Sequence, residues 1–220
     1  VDKGQLFQLI HAINRGEKVI AIIAPAFWGQ FGENVTAGQV KEAMKILGFA
    51  ALEEVAVGAD LCAIEEAEEF LRDVPEKQPF MATSCCPAWS AMAKKEFPGM
   101  APYISMTMTP MVLTARLHKR RNPKCKIAFI GPCAAKKLEA SRRTVRSEVD
   151  FVLTFEELRG MFEAKGIDFN TIPDTEAIYE ASAPACGFAA GGGVAKAVEE
   201  VIHRIDPTVE VKTVCAEGLR

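Results

Sequence analysis

Apolar and polar positions along this chain follow two rhythms. Short runs that are apolar at nearly every position mark strands buried on both faces, and apolar residues recurring every three or four positions mark helices packed against them. Lys18 to Ala24 reads Lys-Val-Ile-Ala-Ile-Ile-Ala, a strand of the buried parallel kind, and Pro25 ends it. A helix is expected from Thr36 to Leu47, with Thr36 as its N-cap and Gly48 as its stop. Glu53 to Val57 reads as a second strand and Ala59 to Val74 as a second helix. Phe80 to Thr83 is a short third strand, followed by a helix from Pro87 to Phe97. After the Pro98 to Pro102 break a second series begins, with a helix from Thr109 to Arg121 that has Pro110 at its first position. Lys126 to Ile130 is the next strand, Val149 to Leu153 another, and Thr154 to Lys165 a helix. Val194 to Ile205 is a helix behind Gly191-Gly192-Gly193, and Val209 to Val214 is the last strand.

Strands alternating with helices predict an α/β fold with largely parallel sheets, and two series predict two intertwined lobes, each a sheet flanked by helices. The expected division is residues 1–104 for the first lobe, 105–205 for the second, and 206–220 for the start of a return segment to the first. The crevice outside the strand ends is the expected site. With 220 residues, 49% hydrophobic and 25% charged, the chain can bury a large core. Its formal net charge of -3 gives no electrostatic reason to expect nucleic acid, and His118-Lys119-Arg120-Arg121 reads as a solvated helix end. No apolar run approaches the roughly 20 residues of a membrane span, and the N-terminus is not a signal segment. No membrane partner is expected and the chain reads as cytoplasmic. It begins at Val1 rather than methionine and breaks off at Arg220 straight after Cys-Ala-Glu-Gly-Leu, so it reads as a piece of a longer protein whose C-terminal part is missing.

Cysteine usage changes the picture. Cys62, Cys85, Cys86, Cys125, Cys133, Cys186 and Cys215 are an odd number, widely spread, in a chain too large to need disulfide staples. Reduced thiols and metal binding fit better. Cys62, Cys125 and Cys215 sit on apolar segments and read as core atoms. Cys186 lies in a loop of small residues and is a candidate substitute ligand. The informative stretches are Thr83-Ser84-Cys85-Cys86-Pro87-Ala88-Trp89 and Gly131-Pro132-Cys133-Ala134-Ala135-Lys136-Lys137-Leu138-Glu139. Each places a cysteine beside a proline where a strand gives way to a helix start. Backbone N–H groups and the helix dipole favour a thiolate there, as a metal ligand or a reactive sulfur. Two such corners predict one buried cluster site. Glu66 and Glu69, three apart, share one face of the expected helix, although a run such as Glu65 to Glu69 is by default a solvated face. His11, His118 and His203 carry no partner motif, and the methionines from Met100 to Met111 read as lobe packing.

Together these corners resemble the H-cluster domain of iron-only ([FeFe]) hydrogenases, over nearly the whole chain. The first signature of that family, T-S-C-C-P-x-W, is matched by Thr83 to Trp89. The second, P-C-x-x-K-x-x-E, is matched by Pro132, Cys133, Lys136 and Glu139. Weaker echoes are Ala24-Pro25-Ala26 before Phe31-Gly32, the stretch from Ala59-Asp60-Leu61 to Glu69, and Phe188 ahead of Gly192-Gly193-Val194. The resemblance implies that Cys86 and Cys133 are ligands of a [4Fe-4S] cluster, and that Cys85 passes protons to a diiron centre carrying CO and CN ligands. It further implies that Lys136 contacts a cyanide, that Glu139 holds that lysine, and that a proton route runs through Glu66, Ser105 and Glu69. Ala24, Pro25 and Phe188 would line the cofactor. The implied activity is reversible oxidation of H2 to protons and electrons, with ferredoxin-like [4Fe-4S] domains or proteins as electron partner, in an anaerobic setting.

Two departures qualify the resemblance. Gly131 stands where the second signature usually has methionine, as in the divergent, sensory members. The third signature, C-x-x-x-C with a glycine run, is absent: Gly191-Gly192-Gly193 looks like that run but has Pro184 and Phe188 where the cysteines would fall, and the better alignment puts Phe188 to Val194 on an earlier glycine pair, with the third motif expected beyond Arg220. This chain alone is therefore expected to be apo and inactive. A hydrogen or redox sensor built on the same site is one alternative. A hydrogenase-like iron–sulfur assembly protein is another, against which the presence of Cys85 counts.

Overall fold

A computed structural model describes residues 4–83, 85–175 and 180–214. Ser84 of the first motif and Cys215, read above as a core atom, lie outside them. Strand β1 (Val19–Ile23) is buried at all five positions, so both its faces must be covered and both its edges paired. It pairs in parallel with β2 (Ala51–Glu54) on one side and β3 (Lys126–Gly131) on the other, and β3 pairs in parallel with β4 (Phe151–Thr154). The strand order is β2-β1-β3-β4. The register sets Ile22 beside Glu53 and Phe129, and Ile23 beside Ile130. At the edge, β2 tolerates Glu53 and Glu54, where an interior strand would not.

Helices α1 (Leu6–Asn14), α2 (Ala37–Ile46), α5 (Pro110–Arg121), α6 (Ala135–Ser141) and α7 (Phe155–Ala164) accompany this sheet in sequence. Both α2 and α7 start in complete capping boxes, Thr36 with Gln39 and Thr154 with Glu157, each stabilising its helix by about 1 kcal/mol. Gly48, at a left-handed φ of 98°, lets the chain leave α2 where most side chains would be strained.

The chain divides into two compact units: residues 1–55 with 114–180, and 56–113 with 181–220. A division between residues 104 and 105 is not what the structure shows, and the parallel pairing gives the reason. A parallel pair needs a crossover connection. Residues 56–113 form that connection from β2 towards β3, folded as the body of the second unit.

Within the second unit, α3 (Ala56–Asp73) packs on α9 (Gly193–Ile205) through Ala63, Ala67, Ala197, Val198 and Ile202, with Phe70, Met81 and Phe188 around them. Small alanines let the two helices approach closely. The unit also holds α4 (Pro87–Glu96) and α8 (Ala183–Cys186). The expected second sheet is absent among the described residues. Phe80 to Thr83 makes one parallel bridge, Ala82 with Ile104, and Val209 to Val214 joins no ladder. Val209 and Val211 instead lie against the α3–α9 core, so their apolar character reflects packing.

Candidate functional site

In the second unit the first cysteine corner is the start of α4. Cys86 is the N-cap, Pro87 opens the helix, and Cys86 Sγ accepts the Trp89 backbone N–H at 3.4 Å. An orphan donor of the first turn is thus satisfied by sulfur. Cys85 is half-buried, and both residues are thiols outside any disulfide. Together with Phe80, Met81, Trp89 and Val198 they line an open cleft of about 520 Å³.

The acidic run on α3 divides by face. Glu66 is 2% exposed, so it is no part of a solvated surface, and a carboxylate there is costly to charge without help. One turn on, Glu69 Oε2 accepts the Ser105 hydroxyl at 2.6 Å and the Thr107 hydroxyl at 3.3 Å. Ser105, itself buried, accepts the Thr107 backbone N–H at 3.2 Å, which aims its hydroxyl proton at Glu69. The structure therefore joins two of the expected relay residues directly, and adds Thr107, which no spacing rule announced.

Sequence reasoning also passed over the Asp60–Ser182 contact. Asp60 accepts the Ser182 backbone N–H at 2.9 Å and also its hydroxyl, and Ser182 caps α8. This fixes α8 on α3, where Ala185, Cys186 and Phe188 cover Ala56 and Ala59. Phe188 is shared by both cores of the second unit. A Cβ on Gly193 would stand 1.9 Å from the Gly187 carbonyl oxygen, so the end of the glycine run is a close backbone contact.

The second corner belongs to the first unit. β3 ends at Gly131, and Cys133 Sγ accepts the Ala135 N–H at 3.4 Å as α6 begins. Lys136 Nζ lies 2.8 Å from Glu139 Oε2, with both side chains largely buried. Lys137, the next residue, is 6% exposed and reaches Glu157 Oε1 at 2.8 Å, which ties α6 to the start of α7. Ala24 donates its N–H to the Ile130 carbonyl at 2.9 Å, and Pro25 opens a single 3-10 turn. Ala24, Pro25 and Gly131 thus gather at the carboxyl ends of β1 and β3, where open parallel sheets build their sites.

Cys62 and Cys125 are buried, as expected of core atoms, and burial pushes the Cys125 thiol above its ordinary value. Met111 is core, but Met100 and Met106 are exposed, which corrects the lobe-packing reading for those two. Among the described residues no group of three or more His, Cys, Asp or Glu side chains is assembled to hold a metal ion. No helix there is long and apolar enough to cross a membrane.

The family described as "Iron only hydrogenase large subunit, C-terminal domain" matches residues 17–220. The chain belongs to this family. Iron hydrogenase 1 of Clostridium pasteurianum is 31% identical over 221 residues, covering 89% of this chain and 38% of that protein. An apo [FeFe]-hydrogenase variant from Chlamydomonas reinhardtii superposes with a TM-score of 0.77 at 25% identity, covering 98% of this chain and 62% of the other. The cytosolic Fe-S cluster assembly factor NAR1 of Kluyveromyces lactis is 36% identical over 110 residues, covering 50% of this chain and 24% of that protein. The chain spans less than half the length of the curated relatives it matches.

Taken singly, each corner offers a thiol of the kind an iron–sulfur cluster takes, since such clusters use cysteine thiolates, commonly four, and Cys86 and Cys133 each receive an N–H donor at a helix start. In this iron-only hydrogenase domain those two corners fall in different units.

Proposed function

We propose that this chain is the cluster-holding part of an enzyme that makes or splits dihydrogen. Cys86 and Cys133 serve as thiolate ligands of the [4Fe-4S] portion, and ligands completing the set come from elsewhere in the whole protein. The observation that carries this is the two thiols, Cys86 at the N-cap of α4 and Cys133 just ahead of the N-cap of α6, each accepting a backbone N–H at 3.4 Å. When bound, the diiron portion supplies the H2 chemistry and the cubane portion the electron path.

The protein's own groups hold charge and move protons. Glu139 keeps the Lys136 ammonium at a fixed place, which suits contact with an anionic diatomic ligand. Cys85 presents a thiol to the cleft as the proton-passing group. Ser105 Oγ donates its proton to Glu69 Oε2 across 2.6 Å between the oxygens, and buried Glu66 sits one turn from Glu69 on α3. Such steps are needed because a bare proton does not cross an apolar wall. Ferredoxin-like [4Fe-4S] modules supply or take the electrons.

The similarity of half the chain to an assembly factor favours a second reading, in which the site carries a cluster but turns over no H2. The full-length protein, loaded with iron and its diatomic ligands without oxygen, separates the two. The hydrogenase reading expects infrared bands from bound CO and CN, H2-dependent dye reduction, and a loss of at least 100-fold in turnover for Cys85→Ser with iron content unchanged. Bound iron and sulfide with neither those bands nor any H2 turnover overturns it in favour of assembly.

A further inference from the structure

Two hydroxyls meet on one oxygen of Glu69. Its Oε2 accepts the Ser105 hydroxyl at 2.6 Å and the Thr107 hydroxyl at 3.3 Å, and among the described residues these are its hydrogen-bond donors. The two donors differ in burial. Ser105 is 8% exposed and Thr107 is half-buried, while Met106 between them is 76% exposed, so the chain comes to the surface just past Ser105. One carboxylate oxygen therefore receives one proton-bearing group from the interior and one from near the surface.

Backbone bonds hold this segment without help from the Thr107 side chain. The Ser105 N–H donates to the Ala82 carbonyl at 2.9 Å, and the Ala82 N–H donates to the Tyr103 carbonyl at 2.8 Å, which ties Ser105 to the stretch leading into Cys85. The Thr107 N–H donates to Ser105 Oγ at 3.2 Å, a bond that any residue but proline makes at that position. The Thr107 hydroxyl is thus not needed to place Ser105, and among the described residues its hydrogen bond is to Glu69.

The next carboxylate along α3 is a poor acceptor for a proton leaving Glu69. Asp73, one turn beyond, is bound by Arg72 at 2.8 Å and by Lys77 at 2.6 Å, and these two cations lower its pKa to about 2. A carboxylate held in this way takes up no proton near neutral pH. A hydroxyl suits an outer step better, because its oxygen can accept one proton as it gives its own away.

We propose that Thr107 is the outer step of the proton route and passes protons between Glu69 and water. The inference rests on the hydrogenase reading and deepens it by naming where the route reaches solvent. Outward, Ser105 gives its proton to Glu69 Oε2 and takes another from the buried side. The neutral acid then gives its proton to Thr107 Oγ as the hydroxyl proton of Thr107 passes to water. Inward, the same O–H bonds form and break in reverse. Thr107 ends each passage as a neutral hydroxyl, and nothing is oxidised or reduced. Contacts that pass protons are often long at rest and tighten in the working state, which accommodates the 3.3 Å separation.

The test compares Thr107→Val, which replaces the hydroxyl by a methyl of similar size, with Thr107→Ser, which keeps it, in the full-length protein. In the apo protein, the infrared carboxylate band that Glu69→Gln removes should shift in Thr107→Val and keep its place in Thr107→Ser. In the loaded enzyme, Thr107→Val should lower H2 turnover by about tenfold or more and deepen the slowing in D2O, and Thr107→Ser should recover most of both. A threonine that only props the chain would leave the D2O effect unchanged. Wild-type turnover in a Thr107→Val protein with a native circular dichroism spectrum overturns the proposal, as does an equal loss in Thr107→Ser or a carboxylate band that does not move. If the wild type itself turns over no H2, the hydrogenase reading fails by itself. The apo band then decides the Glu69–Thr107 link, a shift supporting it and a fixed band overturning it.

Discussion

Gly131 stands where the family's second signature usually has methionine, and its surroundings give the physical reason. A Cβ there would lie 2.5 and 2.6 Å from two ring carbons of Phe129, and 3.6 Å from the Ala24 Cβ. Carbon atoms in contact prefer about 3.5–4.0 Å, so the ring would have to yield by about 1 Å. Phe129 is 2% exposed and packed in the middle of the sheet, so it has no open space to swing into. Overpacking a well-filled core costs about 1–3 kcal/mol. Gly131→Ala is therefore expected to destabilise the protein by about 2 kcal/mol, or roughly 4–8 °C in Tm. Gly131→Met should cost more.

The decisive form is a double-mutant cycle in the full-length apo protein, followed by urea unfolding. Phe129→Leu alone should cost about 1–2 kcal/mol through lost contacts and a small cavity. Combined with Gly131→Ala it should cost clearly less than the two single changes together, with a coupling of about 1 kcal/mol or more, because the shorter side chain vacates the space the new methyl needs. Strict additivity, or a neutral Gly131→Ala, would refute the idea that the Phe129 ring excludes a side chain at position 131.

Two further outcomes follow from the same first unit. Burial holds the His118 imidazole below its ordinary value of 6.5, against the opposing pull of Glu53 and Glu180 and with a smaller push from Arg121. The unfolded chain then takes up a proton near pH 6.5 that the folded chain refuses until lower pH. Stability from neutral His118 is full above about pH 6.5 and is lost as pH falls from there towards the folded value. Urea midpoints measured between pH 7.5 and 5, as a range chosen to bracket that titration, should fall less steeply for His118→Leu than for the wild type. Thr154→Ala should cost about 1 kcal/mol by removing one arm of the α7 capping box. Glu157→Ala should cost more, because the same carboxylate also binds Lys137 at 2.8 Å; equal unfolding midpoints for the two variants would contradict that.

Buried parallel strands announce themselves because every position is apolar, which is why β1 and β3 were legible to within a residue or two. Edge strands do not: β2 carries Glu53 and Glu54, so the reading slid to residues 53–57 while the pairing runs from Ala51 to Glu54. Thr36 and Thr154 marked their helix starts because a hydroxyl at a cap has a local partner three residues on. Phe80 to Thr83 and Val209 to Val214 misled, since apolar β-prone residues report burial and not the presence of a ladder partner. α1 precedes the first strand, and its Leu6, Leu9, Ile10 and Ile13 have helical spacing without a side-chain cap to mark its start.

The site divides along the same line. Cys85, Cys86, Cys133, Lys136 and Glu139 were legible because rare side chains at short, fixed spacing need no knowledge of the fold. The contacts Asp60–Ser182, Thr107–Glu69, Lys137–Glu157 and Arg116–Val145 were not, because each joins residues well apart in sequence and leaves no period behind. Local spacing therefore exposes the groups suited to chemistry and hides the groups that hold them. A variant at Ser182 or Glu157 tests positioning while every motif residue stays in place, so it can separate a site that is mis-held from one that lacks a reacting group.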